Sequence, residues 1–97
     1  MEIEYKNIIN KSNIIDIRSA LDYNEINIKE SINIPKIILM SNYDNYLNKE
    51  EDFYLLCDKG TVSLSCSKIL NALGYKCFSI KGGIENIVKK WIVSNKV

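Results

Sequence analysis

The sequence predicts an α/β fold with a mostly parallel central sheet and helices on both faces. Three observations carry this. Ile14-Ile15-Asp16-Ile17 is a short β-branched run, suited to a strand buried on both faces. Phe53-Tyr54-Leu55-Leu56 and Cys77-Phe78-Ser79-Ile80 are two more short apolar runs. Each is followed by a glycine-containing loop and then a helical pattern. Strands alternating with helices imply parallel pairing, since the crossover helices cover the sheet.

The elements follow in order. After the Ile14–Ile17 strand, Ser19 with Asp22 three residues on makes a capping-box-like start to a short helix. Ser31-Ile32-Asn33-Ile34-Pro35 reads as a brief extended piece, because Pro35 turns Ile34 away from helix. Leu39, Tyr43, Tyr46 and Leu47 keep helical spacing. Beyond the Phe53–Leu56 strand, Val62, Cys66, Ile69, Leu70 and Leu73 share one helical face, with Ser63, Ser65, Lys68 and Asn71 largely off it. Gly74 is placed to end that helix. Gly82-Gly83 closes the last strand, and Ile84, Ile87, Val88, Trp91 and Ile92 trace an amphipathic helix with Trp91 in the core.

Composition limits the function classes. The chain has 97 residues, 46% of them hydrophobic, and a net charge of +1, so charge alone recruits neither nucleic acid nor a membrane. The expectation is one small domain over residues 1–97. Met1-Glu2-Ile3-Glu4 is too polar for a secretory leader, and no apolar run approaches a membrane span. There is no histidine, which excludes Cys–His catalysis and histidine-ligated zinc within the chain. Cys57, Cys66 and Cys77 lack paired zinc spacing and are odd in number, which fits free thiols in a reduced, cytoplasmic setting. The residues call for no metal and no organic cofactor.

Chemistry concentrates where Phe53–Leu56 ends at Cys57. A thiol at the C-terminal end of a strand, before a loop with one glycine and a helix start, lies where open α/β sheets bind ligands. Amides at the start of the next helix favour an anion there, whether thiolate or substrate. Cys57 is read as the nucleophile; the competing reading is a small buried hydrophobe. Gly60 serves either as a turn residue or as the left-handed corner of an anion cradle. Lys59 is either a solvated loop residue or a cation facing an anionic donor, and Asp58 is expected to be exposed. Cys66 and Cys77 are read as structural. Asp16 and Arg18, the latter the one arginine of the chain, stand where they can form an ion pair at a buried strand end.

These pieces together resemble a rhodanese-like domain. Asp16-Ile17-Arg18 is similar to the family's Asp-Val-Arg. Asp22-Tyr23 stands where the family has an acidic residue and an aromatic. Ser31-Ile32-Asn33-Ile34-Pro35 resembles its Ala-x-Asn-Ile-Pro segment. Cys57-x-x-Gly60 with Ser63 resembles its active-site loop, Leu73-Gly74-Tyr75 precedes the last strand, and Gly82-Gly83-Ile84 matches its double-glycine turn. The resemblance covers roughly residues 13 to 92. It implies a three-layer fold, here with a shortened N-terminal strand and helix. Three positions depart from the pattern. Ile26-Asn27 replaces Gly-His, Val62 replaces the arginine at the end of the loop, and Ile87 replaces a tryptophan, with Trp91 one turn later.

The resemblance implies a sulfurtransferase. Cys57 would take sulfane sulfur from thiosulfate or a persulfide and pass it to cyanide, a small thiol or a protein thiol. The loop residues Asp58, Lys59, Gly60, Thr61, Val62 and Ser63 would hold the substrate, and Asp16 and Arg18 would support the site. The alternative is a catalytically weak binding or regulatory module. Phosphatase or arsenate-reductase chemistry ranks below both, because those enzymes need an arginine six positions after the cysteine, where this chain has Ser63.

Overall fold

The computed structural model describes the backbone of residues 1–95 and the side-chain surroundings of residues 1–90. Five strands, β1 (Glu2–Ile3), β2 (Ile14–Asp16), β3 (Ile32–Asn33), β4 (Asp52–Leu56) and β5 (Lys76–Ile80), form one sheet. Their order is β1-β5-β4-β2-β3, and every pairing is parallel. The helices are α1 (Ala20–Glu25), α2 (Lys36–Ser41), α3 (Tyr43–Tyr46), α4 (Thr61–Ala72) and α5 (Gly83–Asn95). Before β2 the chain makes only the two-residue β1 and two 3-10 turns, Tyr5–Asn7 and Lys11–Asn13. No helix among the described residues is long and apolar enough to cross a membrane.

Alternation along the central strands feeds two cores. Ile15, Ile17, Phe53, Leu55, Cys57 and Cys77 meet Leu39, Leu47, Cys66 and Leu70 on one face. Ile14, Leu56 and Ile80 meet Ile8 and Ile84 on the other, with Ile87 and Val88 packed against them. Helices α2 to α4 therefore cover one side and α5 the other. Trp91 and Ile92 lie outside the residues whose side chains are described. Ile14, Leu39, Leu55, Leu56, Leu70 and Ile80 have no exposed surface, and each such burial contributes roughly 1.5–3 kcal/mol. The exposed Lys90–Glu4 ion pair, at 3.7 Å, belongs to a class worth about 0–1 kcal/mol, so apolar burial dominates.

Local signals act as their chemistry requires. Ser19 Oγ accepts from Asp22 N at 3.2 Å and caps α1. Gly74, at φ +99°, follows the end of α4, and Tyr75 N donates to Leu70 O at 3.1 Å.

Two expectations are corrected. The helical spacing from Leu39 to Leu47 is divided at Asn42, which leaves helical geometry at φ −141°. Asn42 Nδ2 donates to Ile38 O at 3.0 Å and Ser41 Oγ to Ile37 O at 2.7 Å, so side chains occupy carbonyls at the end of α2. Helix α4 presents a different face from the one expected. It buries Ser63, Cys66, Ser67 and Leu70. Val62, Ile69 and Leu73 are 42%, 53% and 43% exposed. The buried set keeps i, i+3, i+4, i+7 spacing, offset by one residue from the apolar one. Ser63 is tolerated inside because it is hydrogen-bonded there, which removes the penalty on a buried hydroxyl.

Burial lifts the Cys77 thiol from an ordinary 9.0 to about 12, with the neighbouring Cys66 adding to the effect. Below about pH 9 the thiol is neutral in both folded and unfolded chains, and its contribution is fully present. Above that, the unfolded chain loses this proton first, so stability falls as pH rises towards 12. We expect Cys77→Ala to lose less stability between about pH 8 and about pH 11 than the parent chain does. Urea unfolding at the two pH values measures this, and an equal loss would assign the effect to another group.

Candidate functional site

Strand β4 runs its apolar residues straight up to Cys57, which lies at the C-terminal edge of the sheet and is 5% exposed. Asp58, Lys59 and Gly60 make the corner, and α4 begins at Thr61. The corner works because Gly60 adopts φ +95°, in the left-handed region that disfavours other residues. Gly60 has no side chain to cap α4, and the sulfur of Cys57 fills that place. Gly60 N donates to Cys57 Sγ at 3.1 Å and Ser63 N at 3.3 Å. These donors are the kind that stabilise negative charge at a helix start.

The loop is clamped from the other side of the sheet. Gly82 and Gly83 both have positive φ, at +77° and +65°. A Cβ on Gly60 would come 3.0 Å from Gly82 N, and one on Gly83 would come 2.5 Å from Cys57 O. Ile84 N donates to Cys57 O at 2.9 Å and Glu85 N to Asp58 O at 3.1 Å. The first turn of α5 thus satisfies the carbonyls of the very residues that carry the thiol.

Beneath the loop lies a buried polar cluster. Ser63 Oγ is 3.1 Å from Cys57 Sγ, 2.6 Å from Ser79 Oγ and 3.3 Å from Gly60 O. Ser79 Oγ also reaches Gly60 O at 3.2 Å. Neither serine has exposed surface. The sequence reading put Ser63 in the loop by its position but did not single out Ser79. A serine at the otherwise apolar end of β5 was the available signal.

Cys57 also lines an open hollow of about 340 Å³, shared with Ile17, Arg18, Asp22, Lys36, Asp58, Lys59, Thr61 and Val62. Lys36 is the residue that sequence reasoning missed. Its backbone N donates to Ile17 O at 2.9 Å, which carries the start of α2 over the end of β2. The signal was present: Pro35 ends the extended segment and sends Lys36 back across the sheet edge. Val62, expected on the core face, lines the hollow instead. Charges of both signs line it, with Lys36, Lys59 and Arg18 beside Asp22 and Asp58.

Arg18 is committed to structure. Its Nη2 is 2.7 Å from Asp16 Oδ2 and its Nε 3.0 Å from Asp16 Oδ1, with both residues buried. Nη2 also donates to Ile26 O at 2.7 Å, joining the end of β2 to the end of α1. Burial works against the guanidinium charge, but the hydrogen bond and charge of Asp16, then Asp58 and Asp22, outweigh it and raise the pKa. Cys66 is pushed up by burial, against a smaller lowering by Lys36. No cluster of three or more metal-ligating side chains occurs among the described residues.

The chain is similar to known proteins at the level of family and fold. The family model for the rhodanese-like domain matches residues 2–90. No curated protein matches significantly. Among solved structures, a rhodanese-related protein from Thermoplasma volcanium is 25% identical, with a TM-score of 0.73, over 79% of this chain and 76% of that one. A rhodanese-like domain protein from Staphylococcus aureus is 27% identical, with a TM-score of 0.66, over 73% and 69%. A NAD-dependent persulfide reductase from A. fulgidus is 27% identical, with a TM-score of 0.57, over 73% of this chain and 13% of that one.

The close approach of Gly83 to the Cys57–Asp58 backbone makes it the least replaceable glycine. A left-handed non-glycine residue costs roughly 1–3 kcal/mol, and here a Cβ also meets backbone that cannot give way. Gly83→Ala is expected to lower the urea midpoint more than Gly74→Ala does. At Gly74 a Cβ meets only the flexible Lys49 side chain, at 3.4 Å. Equal losses would show that the clamp is dispensable.

Proposed function

The chain belongs to the rhodanese-like domain family, and from that premise we propose that it is a sulfurtransferase working through a persulfide on Cys57. The observation that carries this reading is a strand-end thiol that receives two backbone N–H groups and lines an open hollow. The Cys57 thiolate attacks the outer sulfur of the donor. With thiosulfate, the S–S bond breaks and sulfite leaves with the bonding electron pair, leaving Cys57–S–S⁻. The acceptor then attacks the terminal sulfur. Cyanide leaves as thiocyanate, a thiolate leaves as a persulfide, and Cys57 returns as thiolate. This is covalent catalysis with the loop amides holding the charge on sulfur, and no metal or organic cofactor takes part.

The lining of the hollow favours a thiol-borne persulfide over thiosulfate. Thiosulfate is a dianion, and Val62 offers it neither charge nor donor. Lys36 and Lys59 supply two cations, but Asp22 and Asp58 oppose them. A persulfide on a small thiol or a protein cysteine carries less charge at the reacting end. The persulfide reductase from A. fulgidus, similar over most of this chain, is in keeping with that choice. A second reading, a binding module that keeps the fold without turnover, rests on the same Val62.

Mass spectrometry after exposure to a sulfane donor tests the proposal. Cys57 is expected to gain one sulfur and Cys57→Ser to gain none while remaining folded. Absence of the added sulfur on the parent chain would favour the binding module.

Val62 is exposed and lines the hollow, so an arginine there reaches the donor without disturbing the core. One charge-assisted hydrogen bond is worth roughly 1.5–3 kcal/mol, on the order of tenfold to a hundredfold in kcat/KM. Val62→Arg is expected to raise kcat/KM for thiosulfate by that factor and to leave a small-thiol persulfide donor little changed. An equal rise for both donors would overturn the assigned preference.

A further inference from the structure

The hydroxyls of Ser63 and Ser79 have no part in the scheme above, yet they are the only side-chain groups hydrogen-bonded to Cys57 Sγ or to its partner among the described residues. We propose that Ser63 and Ser79 form a two-position hydroxyl relay that keeps Cys57 Sγ hydrogen-bonded both as thiol and as thiolate. In the thiol state Cys57 S–H donates to Ser63 Oγ at 3.1 Å. Ser63 O–H then donates to Ser79 Oγ at 2.6 Å, and Ser79 O–H to Gly60 O at 3.2 Å. Every proton has an acceptor. When the thiol proton passes to water in the hollow, Ser63 Oγ loses its donor, and Sγ, which already accepts from Gly60 N and Ser63 N, becomes able to accept on its Ser63 side as well. Ser63 O–H rotates to Sγ, and Ser79 O–H is free to turn from Gly60 O to Ser63 Oγ. No bond other than S–H breaks, and no hydroxyl is left unpaired in either state.

The arrangement matters because the cluster is dry. Ser63 and Ser79 have no exposed surface, so on their side of the sulfur water cannot take the place of either hydroxyl, and an unmet buried group is costly. Backbone amides alone are fixed donors. Gly60 N and Ser63 N point at sulfur whatever its charge. A rotatable hydroxyl is the one group here that changes sense with the charge. Val62 contributes no donor from the loop, so the relay supplies from beneath a hydrogen bond that the hollow side lacks. Ser63 touches the reacting sulfur, whereas Ser79 acts through Ser63 and is a positioning residue. The other titratable groups facing Cys57 are Asp58 and Lys59 on the loop, Arg18 and Asp22 from the β2–α1 side, Lys36 on α2 and Cys66 on α4. None of these is altered by the test.

The test is the pH dependence of Cys57 alkylation by iodoacetamide, read by peptide mass spectrometry on the full chain. It needs no sulfur donor, so failure of the relay and failure of sulfur transfer are separate outcomes. Ser63→Ala is expected to move the alkylation midpoint up by about one to two pH units, the size of one hydrogen bond to a charged group. Ser79→Ala is expected to move it the same way by less. The exposed Ser65→Ala on the same helix is expected to leave it unchanged. A Ser63→Ala protein that is folded by circular dichroism and keeps the parent midpoint overturns the relay. If Ser63→Ala does not fold, Ser63→Thr and Ser79→Ala decide. The relay requires a parent-like midpoint for the first and a raised one for the second, and the reverse overturns it.

Discussion

The contact between two glycine corners is the constraint on which the remainder of the site depends. Gly60 turns the chain out of β4 and into α4, and Gly82-Gly83 turns it out of β5 and into α5. The two turns touch backbone to backbone. Any side chain between them would push the loop off the first turn of α5. With the contact made, amides of α5 hold the Cys57 and Asp58 carbonyls, and amides of Gly60 and Ser63 converge on the sulfur. Two helices from opposite faces of the sheet thus meet at one residue. The geometry of the thiol is a property of the three-layer arrangement and not of the loop alone.

Much of this was legible in the sequence because the signals were local. Ser19 as a cap, Pro35 as a stop, Gly74 as a terminator and the β-branched Ile14–Ile17 run each act through their own backbone. The α4 face was misread for a physical reason. Apolar spacing assumes that the core side of a helix is the greasy side. Here the sheet-facing stripe starts at Ser63, because the residue below the loop must hydrogen-bond to Cys57 and Ser79. That requirement comes from β5, sixteen residues away in sequence, and no local pattern encodes it. Val62 and Ile69 are then turned to solvent. Lys36 was missed for a similar reason. Its relation to Cys57 exists only once β2 and β4 lie side by side, in the register that pairs Asp16 with Leu56.

The buried Asp16–Arg18 pair shows how the family pattern and physical need coincide. Removing one partner of such a pair typically costs roughly 3–5 kcal/mol, because the other charge is left buried. Arg18 also takes the Ile26 carbonyl, and Asn33 Nδ2 donates to the carbonyls of Asp16 and Arg18 at 2.9 and 3.0 Å. The floor of the hollow is therefore fixed by interactions that leave Arg18 little freedom to bind a ligand. Cations available to a substrate are the lysines at its rim. That division of labour accounts for a site whose framework is rigid and whose mouth is almost neutral.

The two-residue strands at both margins of the sheet have a consequence for the company this protein keeps. A parallel sheet ends in rows of unpaired amides and carbonyls, and a long flat row is a template on which another chain can assemble. Here β1 and β3 each offer only two residues. Pro35 stands just beyond β3, and Lys6 lies in the turn that follows β1. Neither margin gives an incoming strand enough consecutive bonds to hold it. A chain rich in isoleucine, several of them facing water, thus offers a neighbouring strand only a few consecutive backbone bonds at either of these borders.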